Sequence, residues 1–161
     1  MIQRFWLLIF FILLAFSSKA QNEYIIKLFD KFSNFYSKGD LINAEQVLLN
    51  VLEYSDSVPQ VYAVAIYNNL GVVNTLLGRY DRALVYINQA EQILILKNNS
   101  EELADVYVNK ARVFGIAKEY DKAIEYLNQA IKFYHSCRTS GLGLKNKISS
   151  AFLNLGLTYY E

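Results

Sequence analysis

The only histidine and the only cysteine of this 161-residue chain, His135 and Cys137, are the residues best suited to nucleophilic chemistry. Side chains two apart on a helix point in different directions, so the two need not meet. No Asp or Asn partner is identifiable for them, and ordinary surface or edge roles are expected. One Cys excludes an intrachain disulfide framework, and with one His there is no Cys/His ligand set for zinc. Neither a metal nor a cofactor is expected. Glu101, Glu102 and Asp105 have the residue types of acid–base catalysis, but they sit at a helix start. There a carboxylate stabilises the positive end of the helix dipole without any catalytic role. Gly141-Leu142-Gly143 resembles part of a phosphate loop, yet no strand precedes it and the third Gly is missing. Asn98-Asn99-Ser100 has the form of a glycosylation acceptor, a motif short enough to arise by chance. No enzymatic constellation emerges among these residues.

The 13 Tyr and 10 Phe have the makings of a ligand platform. Tyr67, Tyr80, Tyr107 and Tyr120 instead suit packing between helices, where a ring fills the gap. Tyr86 and Tyr126 are expected to be partly exposed. Sixteen Lys+Arg against 15 Asp+Glu give a formal charge of +1. A nucleic-acid binder needs a basic excess to displace counterions, so that class is excluded. Hydrophobic residues make up 53% and charged residues 19%, which excludes a disordered chain. One Pro and seven Gly leave few breaks and favour helices.

Residues 1–20 read as a secretory signal peptide. Arg4 precedes an apolar run from Phe5 to Phe16, too short for a bilayer span of about 20 residues. Ser18 and Ala20 make a small-x-small cleavage site, so the mature chain is expected to begin at Gln21. An uncleaved N-terminal anchor is the alternative. Removing Arg4 and Lys19 takes the net charge from +1 to −1. The expected location is outside the cytoplasm, periplasmic or secreted.

A repeat governs residues 21–161. Gly78 to Ala90 (GRYDRALVYINQA) and Lys118 to Ala130 (KEYDKAIEYLNQA) are identical at seven of thirteen positions, at an offset of 40. Gly39 to Val51 is a weaker copy at an offset of 39. Tyr67 to Gly78 aligns with Tyr107 to Lys118, and Phe152 to Glu161 returns to that pattern at a further 45. Apolar residues recur at three and four, the helical period. Each unit reads as helix A, a turn and helix B, over approximately 25–57, 60–98 and 100–137, with an incomplete unit at 146–161. Ala83, Ala90, Ala123 and Ala130 permit close helix approach, as does Gly71. Gly39-Asp40 and Gly78-Arg79 are turn signals, Ser57-Val58-Pro59 suits a helix start, and Asn99 with Glu102 has capping-box spacing. Cys137 to Lys145 reads as a loop.

At these residues the sequence resembles the tetratricopeptide repeat family. Tyr67, Leu70, Gly71, Gly78, Tyr80, Ala83, Ile87 and Ala90 match its pattern. So do Tyr107, Ala111, Phe114, Tyr120, Ala123, Leu127 and Ala130, and then Phe152, Leu155, Gly156 and Tyr159. The period exceeds the usual 34 or so residues, no Pro ends a repeat, and Lys110 replaces the expected Leu. The resemblance implies an all-α, right-handed α-solenoid of antiparallel helix pairs, with about seven helices after the signal. It implies a concave groove lined by A helices, with Asn68, Val72, Thr75 and Leu76 on its face. Val108, Arg112, Gly115 and Ile116 follow in the next unit. The family's clamp for a C-terminal carboxylate is absent from these positions. Arg112 is able to pair with an acidic ligand group, or to stand as an intramolecular pair or solvated charge. The implied function is a non-enzymatic scaffold that binds a protein or peptide partner. The alternative is the extracytoplasmic sensor part of a longer membrane-bound signalling protein, a histidine kinase or transcriptional regulator. The apolar last helix, with Leu153 and Tyr160, favours a fragment, or else burial by self-association or a partner. Membrane contact is expected only through an uncleaved signal or a downstream segment.

Overall fold

A computed structural model describes residues 22–53, 60–97, 99–137 and 142–159, without the side chains of 60, 61, 142, 144, 152 and 155–159. The expected signal segment at residues 1–20, Ser57-Val58-Pro59, Asn98, Gly141 and the last two residues lie outside that description. Every regular element among the described residues is an α-helix: α1 (22–37), α2 (Leu41–Glu53), α3 (Gln60–Leu76), α4 (Tyr80–Lys97), α5 (Ser100–Ile116), α6 (Tyr120–Ser136) and α7 (Leu142–Tyr159). The chain divides into two units between Glu53 and Tyr54.

The first unit holds α1 and α2. Ile25 and Phe32 of α1 are buried, as are Ala44, Val47, Leu48 and Val51 of α2, at the three–four spacing of a helix face. Gly39 links them at φ +74°, a left-handed backbone that glycine adopts without strain. Asp40 then caps α2 by accepting from the Asn43 amide at 3.3 Å.

In the second unit α3 packs on α4, α5 on α6, and the pairs meet through α4 on α5 and α3 on α5. The first core joins Val64, Ala83, Ile87, Ala90, Leu94, Leu103, Val106 and Val113. The small residues Ala83 and Ala90 are fully buried, as close helix approach requires. Gly71 serves the same end, because a Cβ there would collide with Ile87. A second core joins Ala104, Ala130, Ile131, Tyr134 and Ala151, and so holds α7 against α6. Tyr107 and Phe133 pack against both cores.

Three turns are built alike. Gly39, Gly78 and Lys118 each take a positive φ, and the amide after each reaches back five residues. Those bonds are Asp40 to Phe35, Arg79 to Asn74 and Glu119 to Phe114. This is the Schellman closure of a helix C-terminus. At the opposite end of a unit, Asn99 caps α5 by accepting from the Glu102 amide. The Asn99 side-chain amide also donates to Glu102 Oε1 at 2.8 Å.

One boundary differs from the sequence expectation. The stretch Cys137 to Lys145 is not loop throughout, since α7 begins at Leu142 and takes in Gly143 and Lys145. First-turn amides need no intrahelical carbonyl partner, and a Cβ at Gly143 would meet open space. Glycine is therefore tolerated there, and the incomplete repeat starts four residues before 146.

Candidate functional site

Helix α5 carries the candidate groove. Val108, Arg112, Gly115 and Ile116 of α5, with Leu127 of α6 and Asn154 of α7, line a cavity of about 200 Å³. Val108 is half-buried among the second core, while Ile116 is 45% exposed. Arg112 is exposed and forms no ion pair among the described residues. The sequence register thus brings its four α5 positions into one hollow.

The α3 positions are not alike. Leu76 is 48% exposed, matching Ile116 forty residues on. Val72 is half-buried. Asn68 is half-buried and accepts a 2.8 Å hydrogen bond from Asn109 of α5. Thr75 requires a correction, because it is only 3% exposed. Its Oγ1 donates to the Gly71 carbonyl at 2.7 Å, so the hydroxyl is spent inside its own helix.

Sequence reading passed over two features, an asparagine series and Lys147, and the partner of a third, Lys110. Asn69, Asn109 and Asn154 recur at offsets of 40 and 45, on α3, α5 and α7, and the offsets alone carried that signal. Lys110 is buried where the preceding repeat has Leu70. Its Nζ meets Glu91 Oε2 of α4 at 2.6 Å and lies over the rings of Tyr107 and Tyr126, at 5.6 and 5.3 Å. Burial and a hydrogen bond to Glu91 push the Tyr107 hydroxyl up to about 12. Lys147 of α7 contacts Glu101 Oε1 at 3.0 Å and Asp105 Oδ2 at 2.7 Å. Asp105 Oδ1 also accepts from the hydroxyl of buried Tyr134, at 2.5 Å. Burial and that bond raise Tyr134 well above the usual phenol range. For Lys147, burial lowers the pKa, but hydrogen bonds to Asp105 and Glu101 outweigh it and the net shift is upward.

Tyr67, Tyr80, Tyr86, Tyr107 and Tyr126 are packing residues. Tyr67 stacks on Tyr86 with ring centroids 6.5 Å apart, and Tyr107 on Tyr126 at 5.8 Å. Tyr80 packs against the first core. Tyr86 and Tyr126 are half-buried by these stacks.

His135 is exposed near the end of α6, and the Cys137 Sγ bonds the Phe133 carbonyl at 3.3 Å. Burial and the nearby Glu101 carboxylate push the thiol up, which disfavours the thiolate a nucleophile needs. Among the described residues no three His, Cys, Asp or Glu side chains are grouped to hold a metal. A second, open hollow of about 460 Å³ lies between the α3–α4 and α5–α6 turns. Its rim mixes Arg79 and Arg82 with Asp81 and Glu119 around Tyr80 and Phe114, and no one sign of charge prevails.

These helices define a tetratricopeptide-like helical repeat. Residues 62–136, which span most of α3 and all of α4 to α6, match the family model of the tetratricopeptide repeat. The crystal structure of BtubC (BKLC) from P. vanneervenii is similar, with a TM-score of 0.70 at 19% identity. The match covers 80% of this chain and 52% of BtubC, so the chain spans about half the length of that protein. At that identity the likeness is one of fold. No curated protein matches the chain. Repeats of this family generally mediate protein–protein interaction and are typically non-enzymatic.

Proposed function

We propose that this protein is a scaffold whose α5–α6–α7 hollow takes a peptide or protein segment bearing an apolar side chain beside a carboxylate. The carrying observation is Arg112, exposed and without an ion pair among the described residues, in a hollow lined also by Val108, Ile116 and Leu127. At about 200 Å³ the hollow is smaller than the roughly 300–1,000 Å³ of small-molecule sites. That size suits one or two side chains of a longer ligand. Burying one apolar side chain contributes roughly 1.5–3 kcal/mol. An exposed Arg–carboxylate pair adds about 0.2–1 kcal/mol. Micromolar affinity takes about 8 kcal/mol, so neighbouring repeats must supply the rest. Exposed Leu76 is the α3 counterpart of Ile116 and extends the apolar surface of the A helices.

Selection from a displayed random-peptide library tests this reading. Peptides enriched by the parent protein are expected to place Asp or Glu next to a Leu, Ile or Phe. Arg112→Glu and Ile116→Asp are expected to abolish that enrichment while circular dichroism is unchanged. Enrichment of the same peptides by both variants would move the site elsewhere. The leader at residues 1–20 supports an exported location, and N-terminal sequencing of the exported protein should then read from Gln21.

A further inference from the structure

One face of α5 carries Glu101, Asp105, Val108 and Arg112, at steps of four, three and four. One face of α7 carries Lys147, Ala151 and Asn154, at steps of four and three. The two faces meet in the same order. Lys147 contacts Glu101 and Asp105. Buried Ala151 packs with Ala104. Asn154 lines the hollow with Val108 and Arg112. Helix α7 packs on α6, and Lys147 is the arm by which it grips α5. The grip is preset from the other side, because the hydroxyl of Tyr134 on α6 orients the Asp105 carboxylate.

We propose that Lys147 is a positioning residue for the groove. Its double ion pair fixes the register of α7 on α5 and so holds Asn154 at the hollow that contains Arg112. A slip of one helical turn, about 5.4 Å, would carry Asn154 out of the hollow. This inference rests on the reading of that hollow as the partner site.

The test compares Lys147→Met with Lys147→Arg in the full chain, first without ligand. The readouts are the Asn154 side-chain amide, the Val108 and Ile116 methyl signals, and amide hydrogen exchange. Lys147→Met is expected to shift those signals and to speed α7 exchange up to about tenfold. Exchange in α3 and α4 stays as in the parent, which shows that the fold survives. Lys147→Arg restores both readouts, because its guanidinium also reaches two carboxylates. Unchanged Asn154 signals and α7 exchange in Lys147→Met would overturn the clamp, as would failure of Lys147→Arg to restore them. A fluorescein-labelled peptide from the library selection then reports on positioning. It should bind Lys147→Met several-fold more weakly and Lys147→Arg as the parent, and equal binding to all three overturns the role. An empty selection sinks the partner-site reading, and the role of Lys147 with it, while the ligand-free spectra still decide whether the clamp exists.

Discussion

A single methyl group tests the packing at Gly71. An added Cβ there overlaps Ile87, a residue with no exposed surface. Gly71→Ala gains about 1 kcal/mol of helix propensity. Overpacking costs roughly 1–3 kcal/mol and is expected to win, lowering the thermal midpoint. A raised midpoint would mean that Ile87 yields. Lys110 is the opposite case, a polar residue in an apolar position. Its side chain is 7% exposed and that of Glu91 is 17%, so the pair is largely withdrawn from water. Removing one partner leaves a buried charge. Glu91→Ala should therefore cost about 3 kcal/mol or more in urea denaturation. The double change Lys110→Leu with Glu91→Met is expected to be close to neutral or stabilising, since it restores the apolar residue of the preceding repeat. Equal losses in both would show that the pair is not coupled. The sequence shows Lys110 as a departure from the repeat pattern. It does not show the partner, which lies nineteen residues earlier on another helix. Periodicity registers faces, not ion pairs across helices. Thr75 failed for a related reason, because its hydroxyl had a carbonyl of its own helix within reach.

At the scale of elements, the three turns share one closure but not one residue type. Gly39 and Gly78 occupy the left-handed position, and Lys118 occupies it in the third turn at φ 62°. A side chain there costs about 1–2 kcal/mol in backbone strain. Glycine relieves that strain but loses roughly 0.5–1 kcal/mol to the freedom of the unfolded chain. Lys118→Gly is therefore expected to stabilise by up to about 1 kcal/mol, read as a higher urea midpoint with an unchanged slope. A lower midpoint would assign the Lys118 side chain a contact worth more than the strain. The turns were legible because glycine in two of them marks the register, and the offset of 40 transfers it to the third. The start of α7 was not legible. Polar and glycine residues read as loop, and the sequence does not reveal that a first helical turn accepts them.

At the scale of the molecule, neighbouring helix pairs of a repeat unit hold one another through their seams, so the weakest seam opens first. The α4–α5 seam carries the buried Glu91–Lys110 pair. The tie from α7 to α5 carries Lys147, Glu101 and Asp105, at side-chain exposures of 39%, 40% and 33%. Screening acts on charges that water reaches, and at 1 M salt the Debye length is about 3 Å. Raising sodium chloride from 0.1 to 1 M should therefore loosen α7 and leave the α4–α5 seam closed. Alkali should act differently. Tyr107 is raised to about 12, so its neutral form is favoured in the folded state. The stability it lends is whole below pH 10, where an unfolded tyrosine begins to ionise, and is lost as pH rises through 12. Tyr107 contacts both cores, so that loss is expected to reach α4, α5 and α6 together. Hydrogen exchange across the two titrations separates the cases. Salt should raise exchange in α7 first, and alkali should raise the α4–α6 amides as a block beyond base-catalysed intrinsic exchange. A uniform response to salt would mean that the helices of this unit open together. In that case the groove wall has no more freedom than the core behind it, and α7 responds to a partner only as fast as the whole unit unfolds.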